Sequence, residues 1–180
     1  MMFAMLVDVT SWLQDQGITY YLMYGTLLGA LRDQDIFSYT KDIDIVVERK
    51  HWEALAYKLK EARFFAGRGY LFAVDQWEDK VGRICGDFDG YIASPLSSVA
   101  EDDAKADPYL GKVQFNLDIY AEDWWQVQEL VLADCVHPLG MAELTIRGRN
   151  FSAPARPENC VEKLYGSTWR TPVKGLAGVN

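Results

Sequence analysis

The sequence is short of histidine, cysteine and positive charge, and each shortage excludes a class of protein. Its 180 residues include 2 histidines and 3 cysteines, and 26 acidic side chains outnumber 18 basic ones, for a formal net charge of -8. It contains no HExxH, CxxC, nucleophile-elbow or Walker A pattern, which excludes the common zinc, redox, hydrolase and P-loop sites. The acidic balance excludes a general nucleic-acid binder, because neutralising phosphates requires basic side chains.

Long apolar runs are also missing. No stretch approaches the roughly 20 apolar residues that span a bilayer. The mildly apolar start of the chain carries Asp8 and lacks a basic leading region, so we interpret it as mature protein. Cys85, Cys135 and Cys160 lie far apart and without metal-type spacing. We therefore expect reduced thiols in a cytoplasmic protein, the alternative being a secreted protein with a disulfide.

The composition is that of a globular domain. Hydrophobic residues make up 49% and charged residues 24% of the chain, without repeats or low-complexity tracts, which is typical of a folded protein. A chain of this length suggests a single domain over 1–180.

A glycine and a threonine follow the apolar run at 18–24. Gly25 lets backbone N–H groups approach an anion closely, and the helix-like run at 27–31 would direct its first amides to the same place. Gly25 and Thr26 are therefore candidate phosphate-binding residues.

Two aspartates lie in the next apolar run. Alternation on a strand would send Asp42 and Asp44 to one face and the isoleucines between and after them to the other. Neighbouring carboxylates repel each other unless a cation lies between them, and Mg²⁺ commonly binds one or two carboxylates together with substrate phosphates. A solvated charged face is the alternative.

These segments resemble the LicD family and its fukutin-type relatives. The resemblance rests on GTLLGALR at 25–32, KDIDIVV at 41–47, NLDIY at 116–120 and YGSTWRTP at 165–172, and it covers about 18–172. Lys41 stands where the family has a further aspartate, and Asn116 where it often has histidine. The resemblance implies an α+β class, namely the polymerase-β-like nucleotidyltransferase fold with a mixed sheet flanked by helices.

The same resemblance implies roles for individual residues. Asp42, Asp44 and Asp118 would bind one or two Mg²⁺ or Mn²⁺ ions and form the catalytic centre, with Asp118 also accepting the proton of the attacking hydroxyl. The period-two pattern around Asp118 places it on the polar face of a strand. Arg32 would help Gly25 and Thr26 to bind the donor phosphates, unless it forms a local ion pair with Asp35.

The implied reaction is transfer of a phospho-alcohol, such as phosphocholine or a polyol phosphate, from a CDP-linked donor to a sugar or glycan hydroxyl, with release of CMP. Two alternatives stay open: nucleotidyl transfer by attack on the α-phosphate of a nucleoside triphosphate, and a catalytically silent binding module, which Lys41 would permit. Many relatives lie in the secretory lumen behind a membrane anchor. That compartment also stays open for this chain, which could be a domain cut from such a parent.

The remaining patterns complete the expected layout. We expect Gly17 to cap the first helix. Arg83, on a middle strand, is either a phosphate contact or a surface charge, and Tyr165 and Trp169 are interpreted as structural. The predicted helices lie at 3–16, 48–62 and 160–165, with a helix or lid at 127–132. The predicted strands lie at 18–24, 42–47, 70–74, 81–85 and 113–120, with a hairpin at 144–151. The segment 94–111 is either a mobile loop over a site or a solvated excursion.

Overall fold

The computed structural model describes residues 2–61, 70–74, 81–86, 115–123 and 141–172. The predicted loop at 94–111 and helix at 127–132 lie outside these ranges. Within them no helix combines the length and the apolar character needed to cross a membrane. The helices and strands, in chain order, are α1 (Met2–Asp15), β1 (Tyr20–Leu22), α2 (Tyr24–Arg32), β2 (Asp42–Val47), α3 (Arg49–Glu61), β3 (Tyr70–Val74), β4 (Val81–Gly86), β5 (Phe115–Ala121), β6 (Met141–Ile146), β7 (Arg149–Pro154) and α4 (Pro157–Tyr165).

The main sheet is mixed. Among the described residues it has five strands, in the order β1-β2-β5-β4-β3. β2 and β5 are parallel, whereas the other neighbouring strands are antiparallel. A parallel pair needs a long crossover, and the chain between β2 and β5 supplies α3, β3 and β4. Helices pack against this sheet, so the predicted α+β class with a mixed sheet flanked by helices is confirmed.

One face of the central strands forms the core. Ile43 and Ile45 of β2 pair with Leu117 and Ile119 of β5, and all four side chains are fully buried. Helix α1 packs against these two strands and contributes its own apolar stripe to the same cluster. The period-two alternation predicted for β2 and β5 is confirmed, and it leaves their other face to polar side chains.

Helix α1 ends where the sequence predicted. Gly17 has a φ of 67°, the left-handed conformation that glycine adopts without strain. Its N–H donates to the Gln14 carbonyl at 2.9 Å, and the Ile18 N–H donates to the Leu13 carbonyl at 2.9 Å. These two bonds form a Schellman cap.

The strand after this cap is shorter than predicted. β1 covers only Tyr20–Leu22, and Tyr24, expected at the end of the strand, is instead the first residue of α2. The pairing of β1 with β2 ends at Leu22, and the next N–H, that of Met23, donates to the Asp44 carbonyl at 3.1 Å. The apolar pattern continues through this turn because Met23 is also buried in the core.

The predicted hairpin is formed by β6 and β7. Its two loop residues, Arg147 and Gly148, have φ values of 49° and 77°, as a type I′ turn requires. Arg147 reaches the connection between α2 and β2, where its N–H donates to the Gln34 carbonyl at 2.9 Å and its Nε to Asp35 Oδ1 at 2.6 Å. Asp35 therefore pairs with Arg147 and not, as the alternative for Arg32 had it, with Arg32, whose local ion pair is with Asp33.

The expectation of reduced thiols is corrected at one position. Cys160 is fully buried in α4 and disulfide-bonded, whereas Cys85 on β4 is a thiol. Cys135 lies outside the described residues. Disulfide formation depends on how close the folded chain brings two sulfur atoms, which the wide sequence spacing of the cysteines does not reveal.

Replacing Gly29 by alanine should destabilise the fold. A Cβ at Gly29 would lie 2.5 Å from the Asp35 carbonyl oxygen, so α2 and the following connection would have to move apart. Overpacking of this kind costs about 1–3 kcal/mol, measurable as a lower midpoint of denaturant unfolding. Gly25→Ala is the matched control, because its Cβ would lie 3.9 Å from Asp44 Oδ2, an ordinary contact. Equal stability of the two variants would contradict this packing.

Candidate active site

The polar face of the sheet brings the three predicted aspartates together. Asp44 on β2 lies opposite Asp118 on the parallel strand β5, and Asp42 lies opposite Asn116. On the other side of β5, Asp118 lies opposite Arg83 of β4. Residues paired across neighbouring strands point to the same face, so one surface of β2, β5 and β4 carries all five side chains.

Asp44 is the buried member of the group. Its side chain accepts a hydrogen bond from the Gly25 amide and another from the Tyr120 hydroxyl, the latter at 3.4 Å. The residue is only 7% exposed. Burial, followed by the charges of Asp42 and Asp118, raises the pKa of Asp44 well above that of an ordinary aspartate. A bound cation would remove the repulsion between these carboxylates.

Asp118 is also buried, but it has a partner of opposite charge. Arg83 donates from Nε to Oδ1 at 2.7 Å and from Nη2 to Oδ2 at 3.0 Å, the two-pronged arrangement that arginine makes with carboxylates. Asn116 Nδ2 donates to the same Oδ1 at 2.9 Å. A carboxylate offers about four acceptor positions, so one on Oδ2 is still available for a substrate proton.

Asp42 lies at the exposed start of β2. It accepts a hydrogen bond on Oδ1 from the Thr40 hydroxyl at 2.5 Å. Asp42 is therefore held at the edge of the face by one carboxylate oxygen, and the residue is exposed to solvent. This position suits a group that meets a ligand from solvent.

The start of α2 holds Asp44 in position. The Thr26 hydroxyl oxygen, in a residue that is only 4% exposed, accepts a hydrogen bond from the Asp44 backbone N–H at 2.9 Å. Gly25 and Thr26 thus lie against Asp44, where the positive end of α2 meets the acidic face. Tyr24, which starts this turn, has a φ of 47°, a conformation uncommon for a bulky residue.

Arg32 lies at the far end of α2. Its Nε and Nη2 donate to the two carboxylate oxygens of Asp33 at 3.1 and 3.0 Å. Its guanidinium also lies 4.5 Å from the centre of the Phe37 ring, and Phe37 stacks on Tyr39. Among the residues that the structure describes, Arg32 contacts this aromatic pair and Asp33, and not the three aspartates. Its phosphate-binding role stays a prediction.

Three tyrosines line the acidic face. From the sequence, Tyr24 is either a donor-stacking group or a core residue and Tyr165 is interpreted as structural, whereas Tyr120 has no predicted role. The rings of Tyr24 and Tyr120 meet edge to face at 5.3 Å. Burial, and then the charge of Asp44, raises the pKa of Tyr24 to about 12. Tyr165 is 43% exposed, and partial burial and the same Asp44 charge raise its pKa as well. The sequence feature that could have identified Tyr120 is its position two residues after Asp118 on the same strand, because that spacing places both side chains on one face.

The donor set fits a hard divalent cation in part. Asp42 and Asp44 supply oxygen ligands of the kind and number that Mg²⁺ takes from proteins. A bound cation would also stabilise the charged form of the buried Asp44 carboxylate. In the described ranges, however, no three acidic, histidine or cysteine side chains are arranged to hold one metal ion. Asp118 is bound to Arg83 instead, so its role as a third ligand stays a prediction.

Part of the chain that forms this site matches a known family, although β5 with Asp118 lies outside the match. Residues 17–83 match the family model described as LicD/FKTN/FKRP, nucleotidyltransferase domain. The predicted resemblance to the LicD family is confirmed. The LicD match begins at the cap of α1 and continues through β1, α2, β2, α3 and β3 into β4.

The LicD-matched chain was also compared with curated proteins and solved structures. No curated protein matches it. One similar solved structure is the crystal structure of an antigenic nucleotidyltransferase-like protein from Paracoccidioides brasiliensis, with 16% sequence identity and a TM-score of 0.46. The alignment covers 83% of this chain and 59% of that protein. The chain therefore spans less than two thirds of the length of that structure.

Replacing Thr26 by valine should destabilise the protein. Valine keeps the shape but removes the oxygen that accepts the Asp44 N–H, and a buried donor without a partner costs about 1–3 kcal/mol. Thr26→Ser is the control, because it retains the hydroxyl. Equilibrium unfolding should rank wild type and Thr26→Ser above Thr26→Val. A valine variant as stable as wild type would contradict this hydrogen bond.

Proposed function

We propose that the protein transfers a phospho-alcohol from a CDP-linked donor to a sugar or glycan hydroxyl and releases CMP. The observation that supports this most is the alignment of Asp44 with Asp118 on one sheet face, with Asp42 beside them and the start of α2 against Asp44. An acidic face of this kind needs a cation to bring an anionic donor close. The LicD match at 17–83 supports the same class of reaction.

In this reaction the acceptor hydroxyl oxygen attacks the outer phosphorus of the donor. A new P–O bond forms, the bond from that phosphorus to the bridging oxygen breaks, and CMP leaves with the bridging oxygen. The hydroxyl proton goes to Asp118, whose Oδ2 has an acceptor position that neither Arg83 nor Asn116 occupies. General-base assistance of this kind contributes about 10²- to 10⁴-fold in rate.

Asp42 and Asp44 would hold Mg²⁺ or Mn²⁺. The bound ion would neutralise the donor pyrophosphate and the charge that develops on the leaving group. The start of α2 lies against Asp44, to whose side chain the Gly25 amide donates, and the N-terminal end of a helix favours an anion. Arg32 would complete the donor site through its free N–H groups.

Nucleotidyl transfer is the second candidate, because the matched family description names a nucleotidyltransferase domain. In that reaction the attack falls on the nucleoside-linked phosphorus, and the same acidic face would serve. A silent binding module is the third candidate, supported by the commitment of Asp118 to Arg83. The three candidates differ in which nucleotide binds and whether binding depends on a cation.

Isothermal titration of CDP-alcohols, CTP and ATP, each with and without Mn²⁺, tests the proposal. Wild type should bind a CDP-alcohol only with Mn²⁺, and the Asp42→Ala/Asp44→Ala double variant should not bind it. Preference for a plain triphosphate, with release of pyrophosphate on turnover, would replace phospho-alcohol transfer by nucleotidyl transfer. Absence of any cation-dependent binding would leave the silent module.

A further inference from the structure

Arg83 stands between solvent and the buried Asp118. Its side chain is 46% exposed, whereas that of Asp118 is 6% exposed. The two residues are direct partners in the β4 and β5 register, and Asp118 is in turn the partner of Asp44. The ion pair therefore lies immediately beside the carboxylate that most needs a cation.

The pair keeps Asp118 from acting as a metal ligand. Both carboxylate oxygens accept bonds from Arg83, and Oδ1 accepts a further one from Asn116. A positive guanidinium at this distance also repels an incoming cation. In the part of the chain that the structure describes, no three acidic, histidine or cysteine side chains are placed to hold one metal ion.

Arg83 still has donors to offer an anion. A guanidinium carries five N–H groups, and Asp118 takes only two of them. The exposed edge suits a phosphate, which accepts two parallel bonds from arginine as a carboxylate does. A phosphate that arrives at the acidic face would compete with Asp118 for the same guanidinium.

We propose that Arg83 is a donor-binding residue that couples donor binding to cation binding. The donor phosphate draws the guanidinium away from Asp118, and Asp118 then becomes available as the third ligand beside Asp42 and Asp44. This inference rests on the proposed function for the identity of the donor. Without an anion, Arg83 holds the third carboxylate and keeps cation affinity low; with an anion, both sites fill together, and each ligand raises the affinity of the other.

The test measures two affinities of Arg83→Gln, one for Mn²⁺ alone and one for inorganic pyrophosphate without metal. Loss of the positive charge should tighten Mn²⁺ binding by about tenfold. Loss of charged hydrogen bonds should weaken pyrophosphate binding by about tenfold or more. A structural residue would move both affinities in the same direction or neither, so either of those results overturns the proposal.

Two further variants sharpen the result. Arg83→Lys keeps the charge but not the two-pronged geometry, so its Mn²⁺ affinity should stay near that of wild type while its pyrophosphate binding weakens. Circular dichroism and thermal unfolding check the fold of each variant. In an Asp118→Asn background, the gain in Mn²⁺ affinity from Arg83→Gln should shrink. A gain of undiminished size would show that Arg83 acts by charge alone and would overturn the release of Asp118.

These measurements also separate this inference from the proposed function. CDP-choline binding with Mn²⁺ tests the donor, and a failure there removes the CDP-linked donor alone. The Mn²⁺ and pyrophosphate affinities of the Arg83 variants do not depend on the nucleoside. Unchanged affinities in those variants, with normal CDP-choline binding, would overturn the role of Arg83 and leave the proposed transfer in place.

Discussion

Asp44→Asn should lose cation-dependent donor binding and reduce kcat/KM by about a thousandfold or more. The charge stabilisation that a bound cation supplies is several kcal/mol, and each ~1.4 kcal/mol corresponds to tenfold in rate. The fold should be retained, because the amide has the shape of the carboxylate. The amide also removes the buried charge and its repulsion by Asp42 and Asp118, which together raise the pKa of Asp44. Titration with Mn²⁺ and steady-state kinetics measure the two effects.

Asp15→Asn is the matched control for this variant. Asp15 is an exposed aspartate at the end of α1, so its replacement changes the net charge equally without touching the acidic face. It should bind Mn²⁺ and donor as wild type does. An Asp44→Asn variant with the activity of the control would remove Asp44 from the metal site.

Asp118→Asn should reduce turnover by about 10²- to 10⁴-fold, the usual contribution of a general base, while donor binding persists. The asparagine keeps an oxygen for the Arg83 bond but cannot take up the acceptor proton. Single-turnover kinetics with bound donor would separate this loss of chemistry from a loss of affinity.

Asn116→Ala is the comparison for the second variant. It removes only the hydrogen bond to Asp118 Oδ1 and leaves the carboxylate in place, so its turnover should fall far less. If Asp118→Asn and Asn116→Ala reduced turnover equally, the proton-accepting role of Asp118 would have to be abandoned.

Local patterns in the sequence predicted individual elements well. The bounds of β2 and β3 agree with the structure residue for residue, and α1 and α3 agree to within one residue at each end. Period-two alternation and helical spacing are properties of neighbouring residues, so they can be read without knowing the fold. The same alternation placed Asp42, Asp44 and Asp118 on polar faces.

What the sequence did not reveal depends on strand order. Arg83 meets Asp118 only because β4 lies beside β5 in a particular register, and no pattern within either strand specifies that neighbour. The end of β1 was placed too late because Tyr24 continues an apolar run although the chain already turns there. The bond of Asp35 to Arg147 likewise joins residues 112 positions apart.

The position of β5 has a consequence for how the protein is made. β5 lies between β2 and β4 in the sheet, yet it is synthesised after both. A nascent chain that ends before residue 115 therefore has two strands whose inner edges face no partner, and such edges favour association with other chains. Sheet closure and assembly of the acidic face then occur in one step, when β5 leaves the ribosome. The segment 17–83 expressed alone would contain Asp42 and Asp44 of β2 and Arg83 of β4, but not β5, the strand that lies between β2 and β4.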